Sequence, residues 1–501
     1  MPVTNTHRCY ADRAEVWAKI RDALEGEEAI KAKGETYLPR PSGQDWRDFR
    51  SFLARAPFEA AVARTRAGLT GLIFRKPPTV NLPAAYEDWA DNLTLDGTPA
   101  DVVARDLVQE VLATGRAGII TDLAQGENGR PYIRLYPAEH IRNWSVGIDA
   151  AGLPFLQQLI LEDEVTVPEE DGYGDHALRQ LRVLQLKDGV YGVELWQPSD
   201  HKQQGDGDEW NRVDAYVPAR RGRALDFIPF VTCGPFSLDP QPQKPPLLDV
   251  CNLNLAHYRC SADLAHALHM VALPTPWVAD DHSAADPAPR EWRIGSGTAW
   301  LLTSQGKAGM LEVSGAGIGS LSTQVEHLES RMAAAGGRIL ESQKKDAEAA
   351  ETVRLRQTGE TSILAAIANT SSFALTKALR TALWWAGAGE DAAALDADVQ
   401  LNTDFFDAGL TGQDLAQMVA AWNAGAFSWE VLMHNLRRGE LIPDHLSDED
   451  VRDQLDSETA KAMPPMLAAA VPGQRPGQAA VPPVAVPAGT TAAKPVAVKA
   501  A

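Results

Sequence analysis

The sequence predicts an α+β fold in which a helical opening segment leads into a strand-rich region, followed by three long helices with a β-containing insert between the first two. Three observations carry this expectation. Apolar residues recur at helix-like intervals up to about residue 115. They then alternate in short runs from about 117 to 235, and long helical stretches occupy 246–270, 318–346 and 361–385. A chain of 501 residues has room for about three domains.

In the opening segment, Asp45 is a candidate N-cap ahead of WRDFRSFLARA, and Pro57 interrupts before FEAAVARTRAGLTGLIF resumes with Phe58, Val62, Leu69, Leu72 and Ile73 on one face. Pro77 and Pro78 stop that helix. Thr98 followed by Pro99 has the pattern of an N-cap and first-turn proline for PADVVARDLVQEVLATG. The strand candidates are AGIITDL, RPYIRLYP, LPFLQQLIL, LRQLRVLQLKDGVYGVELWQP, DAYVP and FIPFVTCG, with KDG as a hairpin turn. The acidic EDEVTVPEEDGYGD and the polar HKQQGDGDEWN read as exposed loops.

Beyond these, Pro274 and Pro276 end the helix over 246–270, and a proline-rich insert leads to the helix over 318–346. There Leu321, Val325, Leu328, Met332, Ala335 and Ile339 are spaced as a heptad seam, suited to packing against another helix of the same chain or of a neighbour. Gly336 and Gly337 weaken the helix near its end. The polar ESQKKDAEAAETVRLRQ reads as a connector to the third helix, whose mid-helix quartet Asn369 to Ser372 predicts a bend. Thr411 and Ser428 are candidate N-caps for two further short helices, and Gly439 a stop. From 463 the chain is rich in Pro and Ala and has no aromatic residue, so a flexible tail is expected.

Hydrophobic residues make up 45% and charged residues 23%, ordinary for a globular protein. No run of eighteen apolar residues suggests a membrane span, and MPVTNTHRCYADRAEVW lacks the apolar stretch of a signal peptide, so a cytoplasmic protein or a particle assembled there is expected. Cys9, Cys233, Cys251 and Cys260 form no CxxC pair and read as reduced thiols. The formal net charge of −20 excludes tight phosphate binding over a broad surface, but it suits a wall that surrounds DNA and repels it.

Candidate chemistry is sparse. Gly315-x-Gly317-x-x-Ser320 follows a strand pattern and opens a helix, as a dinucleotide-binding turn does, but Ser320 replaces the third Gly and no hydrophobic second strand follows. QGKAG has the lysine of a phosphate loop without its Ser or Thr. His257, His266 and His269 share a helix with only Asp263 as a nearby carboxylate. No HExxH or GxSxG motif is present, so no catalytic residue, metal or cofactor is expected.

The segments RTRAGLTGLIFRKPP (64–78), GRAGIITD (115–122), RPYIRLYPAEHIRNW (130–144), PPLLDVCNLNLAHYRCSAD (245–263), MLEVSGAGIGSLSTQVEHLESRMAAAGGRIL (310–340) and AEAAETVRLRQTGETSILAAIA (347–368), in that order, resemble a branch of tailed-bacteriophage portal proteins often described only as a domain of unknown function. The resemblance spans about 10–445. It implies a portal-type fold: an α/β wing (1–245), a stem helix (246–270), a β-containing clip (271–315) and a second stem helix (316–346). A tunnel loop (347–360), a long kinked wing helix (361–388), a helical crown (389–462) and the tail (463–501) complete it.

By the same resemblance the chain is a structural protein of the virion and not an enzyme. It forms a ring, a dodecamer in that family, at one capsid vertex after assembly in the host cytoplasm. The implied partners are the major capsid protein, the terminase, the head–tail adaptor and double-stranded DNA passing without sequence preference, with no membrane. Gln343, Lys344, Lys345, Arg354 and Arg356 become candidates for touching DNA, against the alternative of solvated charge or intersubunit ion pairs. Trp277, Trp292 and Trp300 become candidates for clip contacts, against local packing. The rival readings are another head–tail connector or virion scaffold, and more distantly a nucleotide-dependent enzyme built on Gly315–Ser320.

Overall fold

The computed structural model describes residues 2–124, 129–168, 173–199, 205–207, 209–272, 275–279, 302, 305–311, 317–337, 350–403, 405, 418, 422, 428–438 and 451–452. The chain divides into two compact units, Met1–Phe405 and Phe406–Ala501. The first is mixed α and β.

It opens with α1 (Arg8–Glu25), α2 (Glu27–Ala32), α3 (Trp46–Arg55), α4 (Ala61–Ile73), the short strand β1 (Thr79–Asn81) and α5 (Ala100–Thr114). Asp45 caps α3 as expected, its carboxylate accepting from the Asp48 amide at 2.8 Å, and Phe49 and Phe52 turn inward. Thr98 does not cap α5. Its hydroxyl and its amide both bond Asp96, leaving Pro99 in the cap position without a side-chain bond, because the Asp96–Gly97 turn offers a nearer acceptor. The helix stops at Gly115, whose φ of 70° is left-handed and whose absent Cβ would lie 2.7 Å from the Gln243 carbonyl.

Then come β2 (Ala117–Leu123), β3 (Pro131–Pro137), β4 (Ile141–Ile148), β5 (Pro154–Pro168), β6 (Asp175–Lys187), β7 (Val190–Pro198), β8 (Trp210–Tyr216), β9 (Ala219–Arg220), β10 (Arg223–Ala224) and β11 (Phe230–Cys233). β11, β2 and β3 form one antiparallel sheet in that order, and β4 to β8 form a five-stranded meander. The KDG turn holds: β6 and β7 pair Lys187 with Val190, and Asp188 and Gly189 both have positive φ. Alternation puts Leu159 and Leu161 on one face of β5, packed with Trp144, Leu184 and Trp385, while Ile160 joins Leu181, Val183 and Trp210 on the other.

The acidic stretch read as an exposed loop is instead the second half of β5 as far as Pro168. Its first two carboxylates are paired, not solvated, while Glu164 is exposed. Glu162 bonds Arg142 and Arg179, and Asp163, only 2% exposed, accepts from Tyr136 and Arg182. Likewise β8 begins at Trp210, inside the segment read as a polar loop.

The remaining elements are α6 (Leu248–Ala272), β12 (Thr275–Ala279), β13 (Lys307–Leu311), α7 (Ile318–Met332), α8 (Ala350–Ala386) and β14 (Asp398–Gln400), which pairs with β1. α8 begins well before the expected Thr361, so 350–360 is helical backbone and not a polar connector. Ala, Glu, Arg, Leu and Gln dominate AEAAETVRLRQ, and all favour helix. The quartet Asn369 to Ser372 leaves the helical assignment unbroken: Thr370 and Ser372 bond back to the Ala366 and Ala368 carbonyls, and Ser371 is fully buried. The main core joins α1, α3, α4, α5, α6 and α8 around Leu107, Tyr258 and Leu379.

In the second unit, α9 (Trp429–Arg438) starts after Ser428, whose hydroxyl accepts from the Val431 amide at 3.5 Å. Thr411, Gly439 and the tail lie outside the described residues.

Candidate intersubunit and channel surfaces

α6 is two-faced along its length. Its first half is core, with Val250, Cys251, Leu255, Tyr258 and Ala262 buried. Asn254 ties this half to the α3–α4 turn, donating to the Glu59 carbonyl at 2.9 Å. Its last ten residues contain no buried position, and Leu268, Met270 and Val271 are 49%, 43% and 37% exposed.

α7 returns antiparallel beside it, since His257 meets Glu329 at 3.4 Å while Cys260, further along α6, meets the earlier Leu321 carbonyl at 3.9 Å. Between them, β12 and β13 pair antiparallel, with Trp277 opposite Gly309. A Cβ on Gly309 would sit 3.0 Å from the Trp277 indole nitrogen, so the ring covers the glycine. Trp277 is nonetheless 42% exposed and Met310 52%. An arm of helix, paired strands and helix therefore displays five large apolar side chains: Leu268, Met270, Val271, Trp277 and Met310.

The heptad seam is only partly realised in the single chain. Leu328 and Met332 are buried, Leu321 and Val325 are half-buried, and Ala335 is exposed. The register changes at Ala333, where α7 passes into a π-helical turn to Gly337. Gly336 is needed there by close approach: a Cβ would meet Thr65 at 3.0 Å and Val250 at 3.2 Å. Ile339 lies outside the described residues, as do Trp292, Trp300, Gln343, Lys344 and Lys345. Arg354 and Arg356 are on the first turns of α8. The structure thus brings Leu321, Val325, Leu328, Met332 and Trp277 into one arm.

Sequence reasoning missed Leu268, Met270, Val271 and Met310, the most exposed apolar residues of that arm beside Trp277. The available signal was LAHALHMVA, which continues apolar past the point where the core face of α6 ends.

The other candidate chemistry does not assemble. Gly317 precedes α7 in the N-cap position with no side-chain cap, Ser320 is exposed, and Gly315 lies outside the described residues. Burial raises the Asp263 carboxyl above its ordinary value, with His266 opposing. Among the described residues no cluster of His, Cys, Asp and Glu could hold a metal ion, and no helix is long and apolar enough to cross a membrane.

A family profile described as "Domain of unknown function (DUF4055)" matches residues 246–386, from just before α6 to the last residue of α8. No curated protein matches the chain. The chain is similar to solved structures of gene transfer agent particles. A chain of the virion of the native gene transfer agent particle is 13% identical, with a TM-score of 0.38, covering 80% of this chain and 95% of that one. One from the neck of the empty particle, computed with C6 symmetry, is 13% identical with a TM-score of 0.39, covering 79% and 96%. One from the neck of the native particle, computed with C12 symmetry, is 12% identical with a TM-score of 0.37, covering 82% and 98%.

Proposed function

We propose that this chain is a ring-forming portal-type protein of a virion, the channel through which double-stranded DNA enters and leaves the particle. The observation that supports the reading most is the arm of α6, the paired strands β12 and β13, and α7. It leaves Leu268, Met270, Val271, Trp277 and Met310 exposed along one stretch of the chain, in addition to exposed apolar side chains elsewhere on the same unit such as Ile148, Phe236 and Phe373. Several large apolar side chains exposed along one arm favour a partner that covers them. In a cyclic ring two different faces of each subunit meet, so one face of the arm covers another on the neighbour.

In this reading the arm is the stem and clip, and its seam residues Leu321, Val325, Leu328, Met332, Ala335 and Ile339 serve packing both within and between subunits. Trp277, Trp292 and Trp300 face the terminase and the head–tail adaptor. Gln343, Lys344, Lys345, Arg354 and Arg356 line the constriction. The net charge of −20 makes the wall repel phosphates, which centres a moving duplex instead of holding it. The ring sits at one capsid vertex against the major capsid protein, and twelve subunits is the number we assign.

Negative-stain microscopy of the purified full-length chain tests this. Rings with a central hole are expected; a monomer at every concentration and salt condition overturns the portal reading.

A further inference from the structure

Residues 2–7 run as a strap over the start of β4, held at several points and ending on His7. Val3 packs with Ile160, Leu181, Val183 and Trp210. The Thr4 hydroxyl donates to the Asp206 carbonyl at 2.9 Å, Asn143 donates to the Asn5 carbonyl at 3.0 Å, and the His7 amide donates to the Arg142 carbonyl at 2.9 Å. His7 is also the N-cap of α1: its Nδ1 accepts from the Cys9 amide at 3.1 Å. Its ring stacks on Trp144 at 3.8 Å, and the same indole carries the Arg116 guanidinium 3.9 Å from its centre.

We propose that the strap is an acid-released latch whose trigger is protonation of His7. Three features of the geometry disfavour the imidazolium in the closed strap. A proton on Nδ1 removes the acceptor that caps α1. A positive charge at a helix N-terminus opposes the helix dipole. The third is a second cation placed beside Arg116, which is 1% exposed, bonds only the Ile141 carbonyl at 3.4 Å, and has Nε and Nη2 without a partner.

The other charged and titratable groups facing this corner do not relieve it. From β4, Arg142 is another cation, and its own partners Glu162 and Asp206 already hold it. From α1, Cys9 is occupied with Gln241 and Tyr10 with the Glu139 carbonyl, while Asp239, from the loop after β11, acts on Arg116. Burial and the Arg116 charge accordingly hold the His7 imidazole below its ordinary value of 6.5. A depressed histidine stabilises the closed strap above its free value, and that contribution is lost as pH falls.

Amide exchange over residues 2–12 of the full chain, read by mass spectrometry at pH 7.5 and pH 5.0, tests the latch. His7→Asn keeps a capping acceptor that cannot be protonated, and measuring it beside the wild type cancels the intrinsic pH dependence of exchange. The two are expected to exchange alike at pH 7.5. At pH 5.0 the wild type should exchange several-fold faster than the variant, because only the wild type can take up the proton that the closed strap disfavours. An equal acid response in both proteins, or none in the wild type, overturns the proposal. If the variant already exchanges faster at pH 7.5, His7→Gln supplies the comparison, and an acid response that survives there overturns it as well.

Discussion

Thr376 and Val399 bond each other twice: the Val399 amide donates to Thr376 Oγ1 at 3.0 Å, and the same hydroxyl meets the Val399 carbonyl at 3.4 Å. The pair is the middle rung of a ladder. Four residues earlier on α8, Ser372 Oγ accepts from the Leu401 amide at 3.0 Å, and four residues later Arg380 Nε donates to the Ala397 carbonyl at 2.8 Å. Steps of four on a helix rise about 6 Å, and steps of two along an extended chain cover about 6.6 Å, so the two spacings stay in register. Side chains of one helix face thereby satisfy the outer edge of β14, whose other edge pairs with β1.

Thr376→Val keeps the shape of the side chain and removes both bonds at Val399, which is 2% exposed. The loss leaves a buried amide and carbonyl without a partner and is expected to cost about 1–3 kcal/mol. Thr376→Ser, which keeps the hydroxyl, should recover most of it. Urea unfolding of the full chain measures both, and equal midpoints for the wild type and Thr376→Val would show that the rung adds nothing.

Glu162 gives stability a pH dependence of known sign. Burial pushes its carboxyl up, but hydrogen bonds and charge from Arg179 and Arg142 outweigh burial and hold it below its ordinary 4.5. The contribution is therefore complete above about pH 4.5 and fades as pH falls through the lower folded value. Glu162→Gln is expected to cost about 1.5–3 kcal/mol at pH 7, the range for hydrogen bonds to a charged group. The gap to the wild type should shrink at pH 3; a gap that persists undiminished there assigns the loss to packing.

Neither of those two sites was legible in the sequence, whereas other features were. The KDG turn and the Asp45 cap were readable because their signals are local: a left-handed Asp-Gly pair and a carboxylate three residues before the amide it binds. The second half of β5 was not, because Glu162 and Asp163 are made compatible with a sheet by Arg142, Arg179 and Arg182 on other strands. The hydroxyls of Ser372 and Thr376 looked like helix weakeners or went unremarked, and their partners are more than twenty residues away. For the candidate surface, periodicity marked Leu321 to Met332 as a packing seam, but period alone does not say whether the partner is the same chain or a neighbour. Burial divides the seam. Leu328 and Met332 are closed off within the single chain, and the exposed apolar residues lie further along the arm.

That division selects the variant that separates assembly from folding. Leu268 is 49% exposed, so Leu268→Glu should leave the free energy of unfolding within about 0.5 kcal/mol of the wild type. In the ring proposed above the same side chain would lie against a neighbour, and a buried, unpaired carboxylate there would cost several kcal/mol at each interface, repeated around the circle. Rings should be lost with the monomer intact. Val325→Asp is the contrasting case, because Val325 is half-buried in the chain itself and the charge is expected to lower stability as well as assembly. Thermal unfolding and sedimentation velocity on both variants give the two readouts. Rings that persist undiminished in Leu268→Glu would place this face of the arm outside any subunit interface.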